Sequence, residues 1–304
     1  MLLKNLSTYL LLLIVVGCKA QPAQLKTADT QNSLLWEISG KGLKQPSYYL
    51  GTMHILCAED AFISNQLEDV LDRVAAVYLE IDLDDMGQML SAMKAMQMKD
   101  GKTLKDILPP SDYEKVAKFF DGKSPLPFKM LESYQPLLLS SMVAEDLLQC
   151  KNTQGMEMLL MDAANKRKLP INGLETMLFQ LSLFDSIPYA EQAKDLMKTI
   201  DSLPQQQREL SKLLEAYRTQ NLDAIEKLTL QEESGLEGNL DLLLYGRNRN
   251  WVAQFDSIAS SHSVLFGVGA GHLPGEQGVL ALLKKQGYTI RPLENKTADT
   301  KKSH

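Results

Sequence analysis

Cysteine is scarce in this chain: there are three in 304 residues, none in a C-x-x-C pair. That removes thiolate metal ribbons and dithiol redox centres from consideration. No G-x-S-x-G elbow, H-E-x-x-H helix or Walker loop occurs, so three common hydrolase and nucleotide-binding signatures are missing. Basic residues are not in excess. Lys and Arg number 32 against 38 Asp and Glu, for a net charge of −6. This lacks the broad positive footprint of nucleic-acid binding. No repeat of 20–50 residues stands out, which argues against a solenoid. The N-terminal apolar run is too short to span a bilayer. Histidine is also rare, at four residues, and this makes its placement informative.

What remains is a composition of 44% hydrophobic and 23% charged residues, which suits one large globular domain or two smaller ones. The N-terminus reads as a secretory signal, with Lys4 ahead of an apolar core over residues 10–16. Val15-Val16-Gly17-Cys18 resembles a bacterial lipobox, which makes residues 1–17 the signal peptide and Cys18 the lipidated first residue of the mature chain. Residues 18–33, with Pro22 and no sustained apolar period, read as a tether. The expected location is the bacterial cell envelope, lipid-anchored on the periplasmic face or at the outer membrane. Cys57 and Cys150 then remain, either as one disulfide in an oxidising compartment or as two unpaired core thiols.

Periodicity predicts an α/β (α+β) fold. A central mixed sheet comes from the N- and C-terminal thirds, with a large helical region between them, and the domain spans residues 34–292. Residues 34–39 and 47–50 read as a β-hairpin around Gly40-Lys41-Gly42. A helix over 62–74 and a buried strand over 75–81 follow. Residues 84–98, rich in methionine, read as an amphipathic helix with a deformable face, or as a lid or partner surface. Ser111-Asp112 after Pro109-Pro110 reads as a helix N-cap, and residues 135–150 as a further helix. A helix over 155–168, a strand over 169–173 and a helix over 175–184 come next. Helices then run from 188 to 231, with breaks at Pro204 and Asn221, and again over 242–258. A strand over 263–268, a helix over 275–286 and a strand over 288–292 complete the domain. Residues 293–304 form a polar tail, expected to be disordered from Asn295 onward.

Two stretches of form G-x-x-H each follow an apolar strand: Gly51-Thr52-Met53-His54 and Gly269-Ala270-Gly271-His272. Strand ends in open α/β sheets face the ligand crevice. Neutral imidazoles and carboxylates are metal ligands at about 2 Å. His54 and His272 are therefore candidate ligands, with Glu80 at another strand end as the third. Glycines allow the backbone to turn sharply beside a ligand. Glu175 is either a helix cap or a general base or ligand-orienting partner. Glu157 is either an inward carboxylate or a first-turn acid. Arg247 either stabilises an oxyanion or binds a carboxylate, or it is a surface residue. Tyr245 and Asn248 carry weaker versions of the same alternatives.

These motifs together resemble the TraB/GumN family, the group that includes the PrgY pheromone-shutdown proteins and the Tiki metalloproteases of animals. The resemblance rests on Leu35-Trp36-Glu37-Ile38, on Tyr49-Leu50 before the first G-x-x-H, on Tyr78-Leu79-Glu80 and Gly173-Leu174-Glu175-Thr176, on Arg247-Asn248, and on the second G-x-x-H with Leu273, Gly275 and Gly278. It implies a fold similar to the ChaN and erythromycin-esterase-like proteins. It also implies a metal-dependent protease using manganese or cobalt, with His54, His272 and Glu80 as ligands and Glu175 and Arg247 as helpers. The leading expectation is a lipid-anchored metallohydrolase acting on a peptide or protein, without a nucleic-acid partner. A non-catalytic peptide- or ligand-binding lipoprotein and a structural envelope lipoprotein are the alternatives.

Overall fold

The computed structural model describes residues 32–82, 86–124, 126–148, 150–231 and 238–296. The expected signal peptide, Cys18, most of the expected tether and residues 297–304 lie outside the described residues.

Among the described residues there are eight strands: β1 (Leu35–Ser39), β2 (Ser47–Thr52), β3 (Leu56–Cys57), β4 (Ala76–Ile81), β5 (Thr153–Gln154), β6 (Ile171–Glu175), β7 (Val264–Gly269) and β8 (Thr289–Leu293). Six form one mixed sheet in the order β6-β4-β7-β2-β1-β8: the mixed sheet is as predicted, with five strands from the N- and C-terminal thirds and β6 contributed by the helical middle. The neighbours from β6 to β2 run parallel, while β1 is antiparallel to both β2 and β8. The central sequences explain this. Ser47–Thr52 is buried at every position and Val264–Phe266 is a continuous apolar run, the pattern of strands covered on both faces. At the sheet centre Phe266 stacks on Tyr49 at 4.7 Å and also meets Phe255 and Tyr78.

β7 comes late in the chain yet inserts between β4 and β2. The C-terminal ends of four neighbouring strands therefore meet at one edge, although their residues are separated by more than 200 positions in sequence.

The helical middle forms a second core. Leu104, Val116, Phe120, Leu131, Leu139, Val143 and Leu196 pack there, apart from the sheet. The methionine-rich helix runs Met86–Ala95 and packs against the helix Met177–Phe184 through Ala92, Met177 and Leu181. Its Leu90 and Met93 are exposed.

Several boundaries differ from the periodicity. The helix expected to be capped by Ser111-Asp112 starts instead at Pro110, whose missing N–H is tolerated at a first helical position. Pro204 is not a stop but sits in the first turn of the helix Leu203–Arg218. The tail begins later than expected: Leu293 ends β8, and Asn295 is buried, with its carbonyl accepting from Gln220.

β3 and β5 form a small antiparallel ladder that the sequence does not signal, since each contributes only two residues. Beside it Cys57 and Cys150 form a disulfide. The ladder places the chain after His54 against the chain before Glu157, and Met156 N–H donates to Met53 O at 3.1 Å. Gly155 permits the approach, because a Cβ there would lie 2.7 Å from His54 O. Disulfide cross-links typically contribute about 2–4 kcal/mol. The Cys57→Ser/Cys150→Ser double variant is expected to lose roughly that much in urea unfolding. An unchanged midpoint and slope would remove the disulfide as a stabilising element.

Candidate functional site

Arg247 occupies the centre of the parallel strand ends. It projects from the helix Gly246–Ala259, with Glu80 near the end of β4 and Glu175 as the last residue of β6. Arg247 Nη2 lies 2.5 Å from Glu80 Oε2 and 3.0 Å from Glu175 Oε2. Its Nε donates to Glu175 Oε2 at 3.0 Å, and Nη1 reaches Leu243 O at 3.2 Å and His272 Nε2 at 3.3 Å. Four of the five guanidinium N–H donors thus have a hydrogen-bond partner, and Nη2 also forms an ion pair with Glu175. Arg247 therefore clamps the two carboxylates, which is the carboxylate-binding alternative for its role. Its carbon centre also lies 4.8 Å from the Trp251 ring.

Glu175 is not a helix cap. Thr176 takes that position, its Oγ1 accepting from Phe179 N–H at 3.1 Å, and this frees Glu175 to point inward from the strand end. Gln180, one turn further on, donates to both Glu175 Oε2 at 3.2 Å and Glu80 Oε2 at 3.3 Å. Glu80 Oε1 accepts from Gly269 N–H at 2.8 Å. A Cβ at Gly269 would lie 3.2 Å from that oxygen and 3.5 Å from His272 Cδ2. Neither Gly51, Gly269 nor Gly271 has a positive φ. The motif glycine at position 269 thus provides space beside the cluster rather than a sharp turn.

His272 lies in the turn Ala270–His272 after β7, buried against Trp251 with ring centroids 4.5 Å apart. Its Nδ1 is 2.6 Å from Asn248 Oδ1 and its Nε2 is 3.7 Å from Glu80 Oε1. Burial pushes its pKa down to about 3, an effect that Glu80 opposes without reversing. Burial would raise the Glu80 pKa. The charge of His272 when protonated, then that of Arg247 and His54, outweighs this together with the Gly269 N–H, so the carboxyl is held well below its ordinary range. The Glu175 carboxyl moves the other way, raised by burial despite Arg247 and Gln180. Glu175 Oε1 is buried with no hydrogen-bond partner.

His54 stands apart. Its side chain is 65% exposed, and Nδ1 lies 2.9 Å from Glu157 Oε1. The hydrogen bond to this carboxylate pushes the imidazole pKa up to about 9. Glu157 is buried, and His54 outweighs that burial to hold its carboxyl below the ordinary range. His54 is close enough to Glu80 and Arg247 to feel their charges.

The structure thus brings together Glu80, Glu175, Arg247 and His272, with His54 beside them and paired to Glu157. Among the described residues no three His, Cys, Asp or Glu side chains converge as a metal site. The donors fit a divalent ion in kind. His272 is neutral, Glu80 is ionised, and Glu175 carries a buried oxygen without a partner. Arg247 is what holds their lone pairs. Tyr245 lies away from these contacts and lines a cavity of about 170 Å³ with Glu226 and Thr229.

Two members of the cluster were not singled out from the sequence. Gln180 carries no local signal, since it is an ordinary helical glutamine until β4 and β6 pair. Trp251 lies one helical turn after Arg247, a spacing that places both on one face.

A profile of the TraB/PrgY/gumN family matches residues 34–292, and the chain belongs to that family. It is 24% identical to a "Metalloprotease TIKI homolog" of Amphimedon queenslandica, over 87% of this chain and 62% of the relative. It is 23% identical to "Metalloprotease TIKI1" of Homo sapiens, over 90% of this chain and 64% of the relative. The chain therefore spans less than two thirds of the length of these relatives. No solved structure matches.

The neutral, buried His272 links stability to pH. Its folded pKa of about 3 lies below the ordinary 6.5, so the unfolded chain gains a proton first on acidification. The contribution is complete above pH 6.5 and is lost as pH falls towards 3, at up to about 1.4 kcal/mol per pH unit. Metal-free His272→Gln is expected to show a flatter loss of unfolding free energy between pH 6.5 and 4. Equal slopes in the two proteins would contradict a buried neutral imidazole.

Proposed function

We propose that this member of the TraB/PrgY/gumN family is a metal-dependent hydrolase of peptide bonds. The observation that carries the reading is the buried cluster of Glu80, Glu175, Arg247 and His272, gathered at the C-terminal edge of parallel strands. That edge is where open α/β sheets bind and transform ligands. The relatives named as metalloproteases support the reaction class.

His272 and Glu80, with His54 as the third donor, are the residues that would hold a divalent ion; manganese and cobalt are the ions to test first. Such an ion supplies Lewis-acid polarisation of a carbonyl and lowers the pKa of bound water. The protein's own groups do the rest. Glu175 Oε1 takes the proton of the attacking water, because burial makes its carboxyl more basic than an exposed glutamate. Arg247 and Gln180 hold Glu175 and Glu80 in fixed relation, so the base does not need to be ordered when substrate arrives. Gly269 N–H keeps Glu80 Oε1 oriented. His54, exposed and beside the cluster, stands where a peptide would approach.

The substrate is a peptide or protein segment outside the cytoplasm. The lipobox-like Val15-Val16-Gly17-Cys18 supports attachment through a lipid on Cys18. One observation favours a second reading. Arg247 is bound to both carboxylates and, among the described residues, no three ligands converge, an arrangement compatible with a peptide-binding lipoprotein without turnover.

Purified protein supplied with manganese or cobalt is expected to cleave members of a peptide library, read by mass spectrometry. Glu175→Gln should lower kcat by about 10²–10⁴-fold. Saturable peptide binding with no product under any supplied ion would favour the binding reading. For the anchor, Cys18→Ala is expected to move the protein from the membrane fraction to the soluble fraction of its bacterial host. Unchanged fractionation would exclude a lipid at Cys18 as the attachment.

A further inference from the structure

Asn248 is fully buried on the helix Gly246–Ala259, one residue beyond Arg247. Its amide faces two fixed groups. Nδ2 donates to the backbone carbonyl of Gln277 at 2.8 Å. A carbonyl has no proton to give, so the NH₂ must face it, and Oδ1 is left 2.6 Å from His272 Nδ1. An amide oxygen only accepts, so the imidazole proton belongs on Nδ1. The other ring nitrogen leads to the same assignment independently. Arg247 Nη1, 3.3 Å from Nε2, can only donate, which requires a lone pair on Nε2. The opposing contact is weak: Glu80 Oε1 is 3.7 Å from Nε2, beyond hydrogen-bond range, and already accepts from Gly269.

We infer that Asn248 is a positioning residue that sets the tautomer of His272, holding the proton on Nδ1 so that Nε2 presents its lone pair to Arg247 beside Glu80. The orientation originates in the loop after the second G-x-x-H. Gly275, at φ +82°, turns the chain, and Gly278 begins the helix Val279–Lys285, with the Gln277 carbonyl between them. This loop therefore acts on the ring as well as connecting β7 to a helix. Partners of this type fix the orientation and tautomer of ligand or catalytic histidines. The catalytic use of Nε2 rests on the proposed hydrolase reading, whereas the tautomer itself does not.

The test is nitrogen NMR of ¹⁵N-histidine-labelled, metal-free protein near neutral pH. The four histidines make assignment tractable, with His272→Gln identifying the signals of interest. Wild type is expected to show one neutral His272 ring, protonated on Nδ1 and bare on Nε2. Asn248→Leu and Asn248→Ala are expected to lose that single form, giving a mixture of tautomers or a proton on Nε2. A merely structural asparagine would change stability without moving the proton. A wild-type ring protonated on Nε2 overturns the inference whether or not either variant folds. So does a folded variant that keeps the pure Nδ1–H form. Peptidase activity is not a readout in this experiment, so failure of the proposed reaction and failure of the tautomer lock are separately visible.

Discussion

Two buried carboxylates a few ångströms apart repel each other, and the site depends on the one guanidinium that holds them. Glu80 and Glu175 come from the ends of adjacent parallel strands, Glu175 lying in register with Ile81, the residue after Glu80. Arg247 gives the pair a counter-ion that reaches both carboxylates through Nε and Nη2. Gln180 and the Gly269 N–H occupy further lone pairs. One oxygen, Glu175 Oε1, is left over. A buried charge network of this kind is a poor source of stability by itself, because desolvation offsets most of the Coulombic gain.

The two motif histidines share a local pattern but have opposite electrostatic states. His272 is enclosed by Trp251, Asn248 and Arg247, which exclude water and favour the neutral ring. His54 is largely exposed and rests on the buried Glu157 carboxylate, which favours the charged ring. The difference arises from what surrounds each strand end. β7 is central and roofed by the helix Gly246–Ala259. The chain after β2 instead runs outward into the small β3–β5 ladder and the disulfide. If both rings bind one ion, His54 must exchange its partner, while His272 already has a bare nitrogen directed at the cluster.

Much of the site was legible from residue type and order. Apolar runs ending in Glu80, His54 and His272 identify strand ends, and strand ends of parallel sheets collect functional groups. The helical middle and its break at Asn221 followed from helical periodicity, Asn221 capping the helix Leu222–Thr229. Glu175 was ambiguous because Gly173-Leu174-Glu175-Thr176 fits either a strand end or a helix start. A shift of one residue in the cap, from Glu175 to Thr176, decides between an outward acid and an inward base.

What the sequence determined by itself was the inventory: the α+β pattern, the two G-x-x-H stretches, the strand-end glutamates and a family resemblance that the profile match sustains. These are local properties, written in periods of two and of 3.6 residues. Tertiary structure alone decided the assignments. Insertion of β7 between β4 and β2 set Glu80 against Gly269, and β4–β6 pairing set Gln180 across two carboxylates. The orientation of the Asn248 amide was decided by a carbonyl 29 residues away in sequence. Partner choice among buried polar groups depends on distances between distant segments, and no local pattern carries that information.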